Sequence, residues 1–339
     1  MFENRLGLER YAYGYASLLL CLCHFYGGVR LAKIHTSKIR DVNHHPLGYC
    51  DINLFLMHAI PGDPFTQEKK LPPQTIENLK KHYGLDKSLP VQYLDYLGNV
   101  AKLELGPSFS SKTLTVNDII NNNFPVSAQL GLQSLIIALG IGLTLGIIAS
   151  LKHNSGLDYT AMVIAVLGVS VPNIVLAPIL IDIFAVKLGW FPIARWGTFA
   201  HTILPSTALG MHSMAVIARL MRSNMLEVLG QDYIRTAKSK GLNSFQVIWK
   251  HTIRNAIMPV ITILGPLTAT LLTGTFVVEQ IFGIPGLGKY FVTSVTNRDY
   301  PVILGTTIFY SAVLISANFL VDLAYGFIDP RIKIGAKGE

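Results

Sequence analysis

Five stretches of this chain, Gln129–Leu151, Ala161–Val186, Ile203–Leu220, Ala256–Val278 and Val302–Ile328, are apolar over lengths that soluble folds rarely require. A hydrocarbon core about 30 Å thick is crossed by about 20 helical residues, and each stretch approaches or exceeds that. Their internal Gly and Pro are tolerated better in spanning helices than in soluble ones. Charge supports the same reading. Of 339 residues, 50% are apolar and only 14% are Asp, Glu, Lys or Arg, against about 25% charged in an ordinary soluble protein. A disordered chain, a coiled coil and a soluble enzyme are excluded, which leaves an all-α polytopic membrane protein. A sixth candidate span, Tyr11–Val29, is weaker because His24 and several Tyr and Gly interrupt it.

The intervening residues are of two kinds. Asp63–Pro125 is polar, with the pairs Lys69–Lys70 and Lys80–Lys81, turn prolines and a short amphipathic pattern over Gln74–His82. It predicts an external subdomain over residues 54–128. Arg222–Asn255 is basic and helical in pattern, and lies inside a core predicted over residues 129–333, with a tail at 334–339. Orientation follows from Lys and Arg in the short loops. If 151–160, 222–255 and 329–339 are cytoplasmic, they hold Lys152, Arg222, Arg235, Lys238, Lys240, Lys250, Arg254, Arg331, Lys333 and Lys337. The opposite connectors hold Lys187, Arg195, Lys289 and Arg298. The imbalance places the C-terminus inside and the subdomain outside. The net charge of +8 is thus mainly a topology signal, and a nucleic-acid partner is dropped. Cys21, Cys23 and Cys50 form no C-x-x-C pair and are odd in number, so neither a disulfide framework nor a metal site is predicted.

No catalytic residue is predicted. H-E-x-x-H, G-x-S-x-G and the G-x-x-x-x-G-K-[ST] phosphate loop are all missing from the sequence, so the chain has no visible means of hydrolysing ATP. The run G-I-G-L-T-L-G over 140–146 lies inside an apolar stretch, where close helix packing explains it better than phosphate binding. Ionisable residues inside spans are expensive, which makes Asp182, His212, Arg219 and Asp322 candidates. Arg219 lies at the inner end of its span, where it can snorkel, and Asp322 lies where it can cap or pair locally. Asp182, near an outer end, and His212, nearer mid-span, suit either an aqueous path or a satisfied structural role.

The most informative stretch runs from Leu226 to Pro259. It has helical spacing as far as Lys240, a stop at Gly241 and a cap at Ser244 for a second helix carrying Phe245, Ile248 and Trp249. Two short helices joined at a Gly form a rigid knob that a partner's groove can receive; an amphipathic helix on the inner leaflet is the alternative.

Within this stretch, D-Y-I-R-T-A-K-S-K-G-L followed by K-H-T-I-R-N-A-I-M-P resembles the coupling loop of ABC-transporter permeases, in the form found in the dipeptide/oligopeptide/nickel importer family. The general permease pattern has E-A-A, a Gly, then I-x-L-P. Here Arg235-Thr236-Ala237 stands in the first place, Gly241 at the Gly, and His251-Thr252-Ile253-Arg254 in the last. The chain departs from the general pattern while matching the peptide-importer variant. H-A-I-P-G-D-P (58–64), L-G-P-S-F (105–109), S-V-P-N (170–173), L-G-W-F-P (188–192), A-R-L-M-R-S-N-M-L-E-V-L (218–229), V-E-Q-I-F-G-I-P-G-L-G (278–288), N-R-D-Y-P-V (297–302) and L-V-D-L-A-Y-G-F-I-D-P-R (320–331) agree with it.

The resemblance implies a type I ABC importer permease fold with about six transmembrane helices and an external subdomain after the first. It implies a multi-pass protein of the bacterial plasma membrane that moves oligopeptides or dipeptides, with nickel chelates as the alternative cargo. Its partners would be a second permease, two ATP-binding subunits and an extracytoplasmic solute-binding protein. The chain would bind no cofactor itself, ATP and Mg being held by the ATPase subunits. Asp232, Tyr233, Arg235, Thr236, Ala237, Lys240 and Gly241 would form the ATPase-coupling surface. Glu279, Pro285 and Gly286 belong to a Gly- and Pro-rich external turn that, with Asp182 and His212, is a candidate pore or gate. A self-sufficient secondary transporter or channel would instead require coupling acids deep in several spans and inverted repeats.

Residues 1–53 depart from the family. Where members have one uninterrupted span leading into H-x-x-P-G-D-P, this chain has H-T-S-K-I-R-D-V-N-H-H-P-L-G-Y-C-D (35–51), which cannot span. An insertion with Tyr11–Val29 as first span is one explanation; a shifted reading frame is the other. The His, Cys and Tyr content and the broken charge rule favour the second.

Overall fold

The structure is a computed structural model that describes residues 86–111, 113–273 and 276–328 together with 74, 77, 81 and 84, with side chains as far as Val321. The segment Tyr11–Val29, the 58–64 motif and the 334–339 tail lie outside the described residues. Among those described, regular structure is helical apart from one isolated bridge between Pro107 and Thr115. The helices are α1 (Leu89–Ala101), α2 (Val116–Leu151), α3 (Gly156–Ser170), α4 (Asn173–Lys187), α5 (Phe199–Leu229), α6 (Asp232–Ser239), α7 (Ser244–Ala256), α8 (Met258–Thr273), α9 (Phe276–Phe282), α10 (Leu287–Asn297) and α11 (Tyr300–Ile328).

α2, α5 and α11 are long and apolar enough to cross a membrane, and α3–α4 and α7–α8 bring the number to five if each bent pair is one span. The stretch Ala161–Val186, expected as one span, is two helices meeting at 115°. The cause is local. Pro172 disfavours the helical region for the residue before it, and Val171 is extended at ψ 116°. The second half of α4, Ile181–Lys187, is a π-helix. α5 does not stop with its apolar stretch at Leu220 but continues to Leu229, so the polar connector is shorter than the expected 222–255.

The chain divides into two compact units. The first takes in residues up to Asn122 together with Lys289–Ala312, a junction that no local pattern marks. Its small core is Ile303 and Leu304 packed with Tyr96, Phe291, Val295 and Tyr300. Asn117 fastens the turn ahead of α2, accepting from the Leu105 N–H at 3.1 Å and donating to the Leu103 carbonyl at 2.6 Å.

The second unit, Asn123–Gly288 with Val313 onward, is organised around α5. Met214, Ile217, Met221 and Met225 pack with Ala138, Ala256 and Val260, while Ala215 and Ala218 meet Ala165. At the other end Leu204, Ala208 and Leu209 join Leu130, Ala177, Leu271 and Phe282. Close approach of α2 to α5 needs two of the glycines in the 140–146 run. A Cβ at Gly142 would lie 2.7 Å from the Met214 carbonyl oxygen, and one at Gly146 would lie 2.6 Å from that of Ala218. Small residues four apart that let backbones touch are the usual device for packing helices in lipid.

Candidate functional site

α5 ends at Gly230, and Gln231 turns extended at ψ 148° to start α6. Only Ile234 and Ala237 of α6 are buried, three residues apart on one face, against Val247 of α7 with Val228 and Leu242 beside them. Asp232, Tyr233, Arg235, Thr236, Lys238 and Lys240 are exposed. The Asp232–Arg235 contact is long, at 3.5 Å between exposed groups; a pair so placed contributes little. Gly241 sits at φ +79°. Its N–H donates to the Lys238 carbonyl at 3.0 Å, and that of Leu242 to the Ala237 carbonyl at 3.4 Å, the double closure of a Schellman motif.

The cap of α7 is Asn243 rather than the expected Ser244. Asn243 Oδ1 accepts the Gln246 N–H at 2.8 Å, and Gln246 Oε1 accepts the Asn243 N–H at 3.4 Å. Gln246 stands three residues beyond Asn243, as a reciprocal capping box requires; Ser244 has Val247 there. Phe245 and Trp249 stack with ring centroids 6.3 Å apart and stay exposed. Two residues either side of buried Val247, they point away from α6. The far end is tied by Asn224 Nδ2 donating to the Ala256 carbonyl at 3.3 Å. α6 is thus a two-turn helix held from beneath with its outer face free.

Below this segment lies a cluster that sequence reasoning missed. Asp158, in the first turn of α3, is 2% exposed at its side chain and takes Arg222 of α5 in a fork. Arg222 Nε donates to Oδ1 at 2.6 Å and Nη2 to Oδ2 at 2.8 Å. The Asn154 N–H also donates to Oδ2, at 3.0 Å, and His153 Nδ1 lies 3.2 Å from it. Arg222 stood out as a topology charge and as part of the 218–229 motif, but its pairing did not, because its partner lies 64 residues away.

The external-turn candidates separate. Pro285 is exposed, whereas Glu279 and Gly286 are buried. Ser127 Oγ donates to Glu279 Oε1 at 2.6 Å and accepts the Leu287 N–H at 2.9 Å. The Ile284 N–H returns to the Glu279 carbonyl at 2.8 Å. Gly286 lies against the Glu279 carboxylate so closely that a Cβ there would collide with it. Ser127 carried no sequence signal.

Asp182 accepts Lys187 Nζ at 2.6 Å, both side chains being more than half exposed; the five-residue separation matches the π-helical pitch of that segment. His212 and Arg219 are both exposed on α5. The described residues contain no group of three or more His, Cys, Asp or Glu suited to a metal ion.

Against this geometry stand the comparisons with known proteins. The profile of the family described as "Binding-protein-dependent transport system inner membrane component" matches residues 142–334, and that of its N-terminal companion matches residues 49–131. The chain belongs to this family. Its apolar helices are those of a multi-pass membrane transport component. Among relatives, the dipeptide transport system permease protein DppB of Bacillus subtilis is 54% identical over 85% of this chain and 93% of that protein. The oligopeptide transport system permease protein OppB of Haemophilus influenzae is 44% identical over 83% and 92%, and that of Escherichia coli K12 is 42% identical over 83% and 93%. A solved structure of the MetNI methionine ABC transporter aligns with 64% of this chain and 97% of its own, at 18% identity and a TM-score of 0.49.

Proposed function

We propose that this chain is the permease subunit of an ATP-driven importer of oligopeptides or dipeptides, forming the pore with a second permease and driven by separate ATPase subunits. The observation that carries the proposal is α6, whose exposed face is backed by buried Ile234 and Ala237 and joined directly to α5. A helix so held moves with the element beneath it instead of bending on its own. Docked in a cleft of an ATPase subunit through Asp232, Tyr233, Arg235, Thr236 and Lys240, it passes ATP-driven closure into α5. Asp158 and Arg222 pass that movement to the α2–α3 turn. ATP and Mg belong to the ATPase subunits, and a solute-binding protein delivers cargo on the opposite side. α6 and the C-terminus lie on the cytoplasmic side, in accord with the distribution of Lys and Arg. The names of the relatives above favour peptides over nickel chelates, and a family that depends on a binding protein favours a subunit over a self-sufficient transporter or channel.

Reconstitution tests this. In liposomes holding both permeases and the ATPase subunits, with binding protein outside, labelled peptides are expected to accumulate only when ATP is enclosed. Thr236→Trp, on the exposed face of α6, is expected to weaken ATPase association and uptake together. Uptake by this chain alone, or competition by nickel and not by peptides, would overturn the proposal.

A further inference from the structure

α5 is the most buried of the three long apolar helices: 61% of its span window is buried, against 33% for α2 and 39% for α11. What it leaves exposed is therefore selective. Beyond its first residue, Phe199, the exposed positions are His212, Arg219, Ser223 and Glu227, all polar. Steps of seven, four and four residues keep them within an arc of about 80° on one helix face. The membrane-length middle of α2 exposes mainly apolar side chains, Leu132, Ile136, Ile141 and Ile148, as a lipid-facing surface would; exposed Thr144 there donates its hydroxyl to the Gly140 carbonyl of its own helix. Among the described residues neither the His212 nor the Arg219 side chain has a hydrogen-bond or ion-pair partner.

His212, near the middle of α5, would be costly if it faced hydrocarbon, and ionisable residues at that depth face the bundle interior or a water-filled cavity; Arg219, near the inner end of the apolar stretch, shares its face. The interior of this unit is already filled by the opposite, apolar side of α5. We infer that the His212–Arg219–Ser223 face of α5 lines the water-filled passage for the transported peptide, and that Arg219 is the contact for the peptide's terminal carboxylate. Arg219 is the one permanent cation among the exposed positions of α5, and a guanidinium matches a carboxylate through two parallel N–H donors. His212 lies about 10 Å further along the helix, so the passage is polar to mid-helix. The peptide part of this inference rests on the proposed function; the aqueous exposure does not.

Cysteine accessibility tests the passage. In a background with Cys21, Cys23 and Cys50 replaced by Ser, His212→Cys, Arg219→Cys and Ser223→Cys are placed in the assembled, ATP-driven complex and treated with a charged, membrane-impermeant thiol reagent. All three are expected to react, whereas Ile136→Cys and Ile141→Cys on α2 stay unmodified. Unreactive thiols at 212 and 219, with or without ATP, would make this face a dry contact with the second permease and overturn the inference. Arg219 is tested by uptake kinetics. Arg219→Gln is expected to raise KM about tenfold for peptides with a free C-terminus, to leave C-terminally amidated peptides unchanged, and to be partly rescued by Arg219→Lys. An equal loss for both peptide types would overturn the carboxylate contact. Peptide uptake by the unsubstituted complex is the separate control: its failure removes the proposed function, while the labelling pattern still reports on the passage.

Discussion

Ser108 and Asp299, 191 residues apart, form a buried hydrogen bond in the first unit, with Ser108 Oγ donating to Asp299 Oδ2 at 2.5 Å. The same carboxylate accepts the N–H groups of Phe109 at 3.0 Å and Ser110 at 2.9 Å. Asp299 also stands just ahead of α11, where an anion meets unpaired helix N–H groups. With the Val302 N–H at 3.5 Å, three backbone donors and a hydroxyl thus converge on one charge. Asp299→Ala is expected to destabilise the protein by about 3 kcal/mol and Ser108→Ala by about 1 kcal/mol, read as shifts in the denaturant midpoint in detergent. Equal small effects would mean the loop is held by other contacts.

Glu279 and Gly286 make a second such relation. The turn after α9 closes on the Glu279 carboxylate with no room for a side chain at Gly286, and Ser127 joins the carboxylate to the Leu287 N–H. Gly286→Ala must displace the carboxylate and break the Ser127 bond, so its cost is expected to match or exceed the roughly 1–3 kcal/mol of an orphaned buried group in Ser127→Ala. Thermal inactivation of the purified complex reads both. A neutral Gly286→Ala would show that the turn relaxes freely.

Apolar length pointed to the long helices α2, α5 and α11 because a preference for apolar surroundings acts on every residue of a stretch, and a local sum detects it. The α6 stop was legible because Gly241 acts within one turn. The polar locks were not, since Asp158–Arg222, Ser127–Glu279 and Ser108–Asp299 join residues 64, 152 and 191 apart and no period connects their partners. L-G-P-S-F and N-R-D-Y-P-V stood out as separate motifs without disclosing that they touch. The 115° break at Pro172 was hidden for another reason: hydropathy is blind to direction, and proline within an apolar run is compatible with a straight span. The polar face of α5 needed the burial of its other side before His212 and Arg219 could be placed together.

Gly241 closes α6 in a backbone region that L-residues enter at a cost of roughly 1–2 kcal/mol. Gly241→Ala is therefore expected to loosen the last turn of α6 by about 1 kcal/mol, and Gly241→Asn, which tolerates that region better, by less. Amide hydrogen exchange of α6, compared with that of α5, is the measurement. Equal loss of protection throughout both helices would indicate global unfolding and would not fit a local cap.

Arg222 and Asp158 are expected to behave as one unit. Removing Arg222 leaves the buried Asp158 charge without its counterion, which costs roughly 3–5 kcal/mol, lowered by the Asn154 N–H; removing the Asp158 charge strands Arg222, whose side chain keeps 24% of its surface exposed, and costs less, about 2 kcal/mol. Arg222→Gln should destabilise strongly and Asp158→Asn less, and the double variant should be little worse than the single Arg222→Gln, leaving a coupling energy of about 2 kcal/mol in a double-mutant cycle. Arg222→Lys keeps the charge but loses the fork, and should fall between wild type and Arg222→Gln. The same variants separate stability from transmission. If the clamp carries movement from α6 to the α2–α3 turn, Arg222→Lys will retain ATP hydrolysis by the assembled complex but lower the peptide moved per ATP. Proportional loss of both activities would assign the clamp to folding alone.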